Sequence, residues 1–321
     1  MFYSLPPEVQ LDVLKCLNFN QLFSFKQTNF YSLNLINKYE NGLARMYFTR
    51  LKIHHNDLAY LQELTSFRII VPESVTSEFI LNDQLEEKWK AAIAESIPLY
   101  LHDFGSHKKF TIRLDRPNFL LKLPNFPKNI EEMVIIRSGL KQLFKCAFGY
   151  ADFYEIVFNP EMINLLFDND KTISPQFNAT DPHVVFINNK FDEILKFALN
   201  HLANSMFTIN LYKVNNVEQY TDILFNILTN EGNKFPKIVL RSFGLPRLYD
   251  LIIEYIATSK DCSKMISTIF AYPEFELNKK AENVEIDNKL KIIKYQIANI
   301  YNPKVRFSFK NWSSSTCIRR M

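Results

Sequence analysis

Glycine is scarce, with six in 321 residues. So few glycines leave few positions free to take positive φ and few loops whose backbone N–H groups can close on a phosphate. Neither GxGxxG nor GxxxxGK[ST] occurs, which argues against glycine-rich nucleotide binding. Cysteine is also sparse. Cys16, Cys146, Cys262 and Cys317 are scattered, with no CxxC pair and no histidine at ligand spacing. That pattern argues against a structural zinc site or a disulfide framework and for reduced thiols. No run approaches the roughly 18 apolar residues of a membrane-spanning helix. The opening MFYSLPPEVQLDVLKCL is interrupted at Pro6, Pro7 and Glu8, unlike the basic start and unbroken apolar stretch of a secretory signal. The expectation is a soluble, non-secreted chain of the cytoplasm or nucleus, needing no cofactor.

Charge of one sign is lacking too. The formal net charge is +4, mild for this length, and the short groups Lys108-Lys109, Lys279-Lys280 and Arg319-Arg320 are each too small to track a phosphate backbone alone. They read as solvated surface, so neither a nucleic acid nor a membrane is expected as partner. What is abundant is apolar material. Hydrophobic residues make up 47% of the chain and phenylalanine alone supplies 29 residues, enough for one large core or two ordinary ones.

The N-terminal segment has helical spacing. Val9, Val13, Leu14 and Leu17 recur on one face, with Gln10, Asp12 and Lys15 on other sides. Pro6 and Pro7 suit a helix start, and Glu8 suits its first turn. Asn18 and Asn20 break the helix. A second apolar segment follows at Leu22, Phe23 and Phe25, and a third at Phe30, Leu33 and Ile36. Three short helices cannot bury much surface alone, so their leftover apolar residues need a cover. That cover is either the rest of the chain, which makes them a cap, or another protein.

Leu5-Pro6-Pro7-Glu8-Val9 resembles the LPxE(I/V) opening of the F-box. Val13, Leu14 and Leu17 stand at that motif's hydrophobic positions, Leu22 where its second helix begins, and Leu35-Ile36 at its closing apolar pair. The sequence departs from the pattern at Asn18, Gln21 and Ser32, where the family carries proline, an acidic residue and tryptophan; Phe30 and Tyr31 can supply aromatic bulk. A looser resemblance, in the Phe/Asn/Lys-rich texture and in stretches such as IANIYNPKVRFSF at 297–309, is to expanded nematode F-box families. The resemblance covers residues 1–40. It implies that these residues pack on the Skp adaptor of a cullin–RING ubiquitin ligase, and that other subunits carry the ubiquitin chemistry.

Residues 41–105 read as a helical linker or cap. Leu43, Met46, Tyr47 and Arg50-Leu51 fit an amphipathic helix, Leu81–Ile97 fits another, and Phe67–Val71 is a short strand stopped by Pro72. From 106 to 312, strand-like segments recur at Phe110–Leu114, Glu131–Arg137, Phe153–Asn159, His183–Asn189, Met206–Val214, Lys237–Phe243 and Met265–Tyr272. Helical stretches intervene at Phe191–Leu202, Val217–Leu228 and Leu248–Ala257. Strand, turn and helix in repetition imply parallel strands with crossover helices. The expectation is an α/β protein: a three-helix head, a helical linker and a degenerate, irregularly spaced leucine-rich-repeat-like α/β solenoid, whose strand face takes a protein client. A doubly wound sheet is the other architecture this pattern admits. A helix over Asn288–Ile300 and a strand at Val305–Phe309 would close the edge, and 313–321 would be a frayed tail.

Catalytic signatures are weak. Adjacent His54-His55 of the HHND group point apart on a helix, His183 reads as part of a turn before a strand, and Ser242 and Ser263 lack an elbow motif. The pairs Glu86-Glu87 and Glu131-Glu132 read as solvated faces, and no cysteine sits in an activating context. The leading expectation is a non-enzymatic substrate adaptor of a Skp–cullin–F-box ligase. A repeat-domain scaffold unconnected to ubiquitin is second, and a hydrolase or transferase third.

Overall fold

The computed structural model describes residues 2–55, 67–70, 81–104, 108–168, 170, 172–187, 190–203, 206–242, 245–272 and 276–321. It begins with a small helical head made of α1 (Pro7–Lys15), α2 (Phe19–Lys26) and α3 (Phe30–Tyr39). Pro7 opens α1 and Glu8 lies in its first turn, so the proline costs no helix bond and the carboxylate meets the positive end of the dipole. At α2 the Asn18 side chain accepts from the Gln21 N–H at 3.0 Å and the Gln21 side chain accepts from the Asn18 N–H at 2.9 Å. This reciprocal capping box satisfies two helix-end donors. Asn29 caps α3 by accepting from the Ser32 N–H at 2.8 Å. The head has its own small core of Leu14, Leu22, Ile36 and Leu43, backed by Phe2, Leu11, Leu17, Phe25, Leu35 and Tyr39.

The rest is mixed α/β. Its strands are β1 (Met46–His54), β2 (Arg68–Ile70), β3 (Tyr100–His102), β4 (Thr111–Asp115), β5 (Phe119–Leu121), β6 (Cys146–Phe153), β7 (Ile156–Phe158), β8 (Phe177–Val185), β9 (Leu202–Ala203), β10 (Met206–Asn210), β11 (Lys237–Arg241), β12 (Thr268–Tyr272), β13 (Glu282–Asp287), β14 (Ile292–Ala298), β15 (Arg306–Trp312) and β16 (Ser315–Arg320). The helices are α4 (Asp83–Ala94), α5 (Ile130–Phe144), α6 (Pro160–Leu166), α7 (Phe191–His201), α8 (Thr221–Asn230) and α9 (Pro246–Thr258). One sheet runs β13-β14-β15-β16-β12-β11-β10-β8-β6-β1-β4-β5-β2, with β9 beside β8, while β3 and β7 pair apart.

At the centre, β1, β6, β8, β10, β11 and β12 are parallel neighbours in unbroken chain order. A right-handed crossover repeated in one direction puts every connecting helix on the same face. Strand burial agrees. Phe148, Ala151 and Phe153 of β6, Ile238 and Leu240 of β11, and Ile269 and Ala271 of β12 are buried, while their alternate neighbours are less so. Among the described residues, the other face is the less buried one on β6, β11 and β12, whereas Thr208 and Asn210 of β10 are buried there. β6, β8, β10, β11 and β12 start at residues 146, 177, 206, 237 and 268, so the strand–helix unit recurs every 29 to 31 residues.

Several expectations need correction. The linker helix at Leu43–Leu51 is instead the interior strand β1; its alternating Phe48, Leu51 and Ile53 are buried, and a strand pattern broken by one irregular step imitates helical spacing. Glu131–Arg137 is not a strand but the start of α5, where Asn129 accepts from the Glu132 N–H at 2.9 Å and Met133, Ile136, Leu140 and Leu143 are buried at helical intervals. The run Val134-Ile135-Ile136 has strand propensity, and the cap with its core stripe overrides it. Phe153–Asn159 divides into the end of β6 and β7 around Glu155, whose φ of 63° makes the turn. The expected helix at Asn288–Ile300 is β14, and the expected frayed tail is β16. With Glu131–Arg137 removed and the others shifted, the irregular spacing becomes the near-constant step above. The expected strand Phe67–Val71 is present as Arg68–Ile70; Val71 and Pro72 lie outside the described residues, as do Asn188-Asn189 and Phe243 of two other expected strands. The expected helices at Leu81–Ile97, Phe191–Leu202, Val217–Leu228 and Leu248–Ala257 are found as α4, α7, α8 and α9 with shifted ends.

Candidate functional site

The ten residues expected to face a partner do not share one surface. Leu14, Leu22 and Ile36 are buried inside the head, so they hold it together and are not free to touch another chain. Leu5, Leu17 and Leu35 are half-buried, while Pro6, Glu8, Val9 and Val13 are exposed. The expected α1 face is also rotated. Gln10 and Leu14 point inward, whereas Val9 and Val13 are 42% and 39% exposed. Gln10 can be buried because both ends of its amide are satisfied: Nε2 donates to the Leu5 carbonyl at 2.8 Å, and Oε1 accepts from the Tyr31 hydroxyl at 2.6 Å. Ser32 is a second polar hub, joined to the Tyr3 hydroxyl at 3.1 Å and accepting from the Thr28 hydroxyl at 3.2 Å. The departures at Asn18, Gln21 and Ser32 therefore have local structural work, namely capping α2 and bonding α3 to the N-terminal turn.

All three helices of the head carry exposed apolar side chains, and Phe23 of α2 lines a cavity with Arg45, Met46 and Cys146 on the side toward the sheet. Val9, Val13, Phe23, Phe30 and Tyr31 are all exposed, Phe30 by 80%. Single exposed hydrophobics need no explanation, but five on a unit of this size make a concentration. The head is tied to the C-terminal end of α5 by Glu40 and Lys145, 2.7 Å apart, and by Arg45, whose guanidinium donates to the Phe144 carbonyl at 2.6 Å.

The second surface is the open sheet face. On its β1–β8 side, acidic and basic side chains alternate. Arg113 and Asp115 are 2.6 Å apart, Lys52 and Asp152 3.5 Å, and His183 and Asp152 3.9 Å. Burial raises the Asp152 carboxyl, but His183 and Lys52 outweigh it and hold it below its ordinary value. The guanidinium of Arg50 lies 5.3 Å from the Tyr150 ring centre. On the β11–β15 side the same pairing recurs without the acids: Lys237 over Phe270, Arg241 over Tyr272 and Lys310 over Trp312, at 4.9, 5.8 and 4.8 Å. None of these residues is among those expected to bind a partner. The signal was available, because residues two apart in a strand share a face, and KIVLR and TIFAY alternate buried aliphatics with these side chains.

The catalytic candidates fall elsewhere. His183 is in β8, not a turn, beside Asp152. His54 ends β1 and His55 packs on the Phe104 ring at 4.3 Å; Asn56 and Asp57 lie outside the described residues. Glu86 and Glu87 both reach Lys90 on the outside of α4, at 2.9 and 3.0 Å, while Glu132 accepts from the Lys128 N–H at 2.7 Å at the start of α5. The Ser263 N–H donates to Asp261 Oδ1 at 2.7 Å within a turn. Burial raises the thiols of Cys146, Cys262 and Cys317, Cys146 up to about 12. Among the described residues, no three His, Cys, Asp or Glu side chains cluster so as to hold a metal ion, and no helix is long and apolar enough to cross a membrane.

Residues 70–212 match a family model described as "Domain of unknown function (DUF8381)". The match begins at the end of β2 and ends just past β10, so it takes in neither the head nor the β11–β16 side of the sheet. No curated protein matches the chain, and no solved structure does.

Proposed function

We propose that the protein is a substrate adaptor of a Skp–cullin–F-box ubiquitin ligase, with the head binding the Skp adaptor and the open sheet face binding a protein client. The observation that carries this reading is the division of labour inside the head. Leu14, Leu22 and Ile36 give it a core of its own, while Val9, Val13 and Phe30 are exposed among the described residues. A cap on the sheet would turn that surface inward, because burying it is worth about 25 cal/mol per Å². The LPPEV opening fits the same reading, with Pro6 and Glu8 on the exposed side of α1. A row of parallel strands in chain order supports reading this part as a leucine-rich-repeat-like solenoid with one free surface.

The test is co-purification with a Skp adaptor. Val9→Glu with Val13→Glu should abolish capture, because both side chains are exposed and a buried charge at an interface is costly. The double variant should keep the wild-type melting temperature. Capture that survives the two charges would overturn the assignment of this surface. If capture is absent in the wild type as well, and deletion of residues 1–40 unfolds the sheet, the head is a cap, consistent with the Glu40–Lys145 tie.

A further inference from the structure

Two rows of side chains cross the open face on the side of the sheet that the family match leaves out. In register, Lys237 of β11 lies beside Thr268 of β12, which faces Arg319 of β16, which faces Ser308 of β15. One step along, Val239, Phe270, Cys317 and Lys310 form the parallel row. Neither row contains an acid. Lys294 of β14 stands opposite Lys310, but its ammonium has Glu285 at 3.6 Å. Among the described residues, Lys237, Arg319 and Lys310 have no such carboxylate. Their convergence is also visible in the thiol between them: burial raises Cys317, and Arg319, Lys237 and Lys310 in turn pull it back. Three cations on neighbouring strands with no carboxylate between them form a positive patch that attracts an anion. Lys237 and Lys310 also lie against the Phe270 and Trp312 rings, so the site offers apolar contact beside each charge.

We infer that this patch is a docking site for a short, extended acidic segment of a protein partner, lying across β11, β12, β16 and β15. Its size limits the ligand. Three strand gaps at ~4.8 Å span about 14 Å, and an extended peptide rises ~3.3 Å per residue, so roughly four residues fit. Its borders limit the ligand further. Asp152, Asp181 and Asp115 occupy the face on one side, and Glu282 and Glu285 lie in β13 on the other. A nucleic-acid strand would carry its phosphates past the patch into those carboxylates, whereas a short acidic run ends before them. The inference takes from the adaptor reading only the idea that the partner is a client, and it is testable without a Skp adaptor.

The experiment uses the full chain and a fluorescein-labelled peptide with about four consecutive glutamates, followed by anisotropy. A phosphoserine version of the run separates phosphoryl from carboxylate recognition, and a single-stranded oligonucleotide of equal charge is the third probe. The expected result is saturable peptide binding, weakened by salt and reduced at least about tenfold by Lys237→Glu with Arg319→Glu. Lys237→Gln with Lys310→Gln should weaken it in the same direction with less risk to folding, and Arg50→Glu, on the balanced side, should not. Circular dichroism melts check that each variant is folded. No saturable peptide binding, equal binding to the folded charge variants, or tighter binding of the oligonucleotide would overturn the inference. Loss of Skp capture by the Val9 and Val13 variant, with peptide binding unchanged, would separate the two readings.

Discussion

Phe270 of β12 stands directly opposite Cys317 of β16 in antiparallel register. That pairing places the last strand inside the sheet, between β12 and the β15–β14–β13 meander. β16 joins the crossover repeats to the antiparallel end, and its Thr316 and Ile318 are buried on the helix side. Ile318→Ala should cost about 2–5 kcal/mol, the range for truncating a buried aliphatic. Removing residues 313–321 should strip β12 and β15 of a shared partner and lower the thermal midpoint far more than the point change. A chemical-denaturation midpoint unchanged by the deletion would show that the strand is dispensable.

The contrast between β16 and the tail expected from the sequence shows what the sequence made legible. The strands Met206–Asn210, Lys237–Arg241 and Thr268–Tyr272 and the helices between them were readable, because each carries its own periodicity and is covered on one side by its own crossover. SSSTCIRRM is short and mostly polar; its place is set by its hairpin neighbour β15 and by β12, about 45 residues earlier in the chain. β14 failed for a related reason. Leu290, Ile293, Ile297 and Ile300 satisfy helical steps of three and four residues, yet Tyr295 and Ile297 are the buried pair, and alternation decided the element. In the head, the helices were legible and the inward face was not. Gln10 displaces Val9 and Val13 from the core because its hydrogen bonds are complete, and no hydropathy pattern signals that.

The scarcity of glycine makes one of them informative. Gly232 follows α8, and its N–H donates to the Lys264 carbonyl at 2.8 Å, in the turn that precedes β12. Ile266 N–H donates back to the Leu228 carbonyl at 2.9 Å. These bonds lock one strand–helix unit to the next. A Cβ on Gly232 would lie 2.5 Å from the carbonyl oxygens of both Lys264 and Met265, which are backbone atoms and cannot rotate away. Gly232→Ala should therefore destabilise the protein by about 1–3 kcal/mol through overpacking, whereas an alanine at Gly42, which meets nothing within 4 Å, should not. Equal denaturation midpoints for the two variants would remove the close approach from the account.

Acid sensitivity should start with histidine rather than with carboxylates. Burial, helped by the cations Lys52 and Arg113 and opposed by Asp152 and Asp115, pushes His54 down to about 4. Burial also lowers His201 and His102. The unfolded chain binds these protons near the ordinary value of ~6.5. Between about 6.5 and about 4 the unfolded state thus holds protons that the folded state refuses, so stability falls as pH falls through that window, and the histidine contribution is level above it. Asp152 and Asp170 are held below their ordinary value, and the stability they supply is lost only at lower pH, as they protonate in the fold. The measurement is the urea midpoint as a function of pH for the wild type and His54→Gln. The variant should show a shallower decline across the histidine window and the same behaviour at neutral pH. Superimposable slopes would mean that His54 takes up its proton in the folded state as readily as in the unfolded chain.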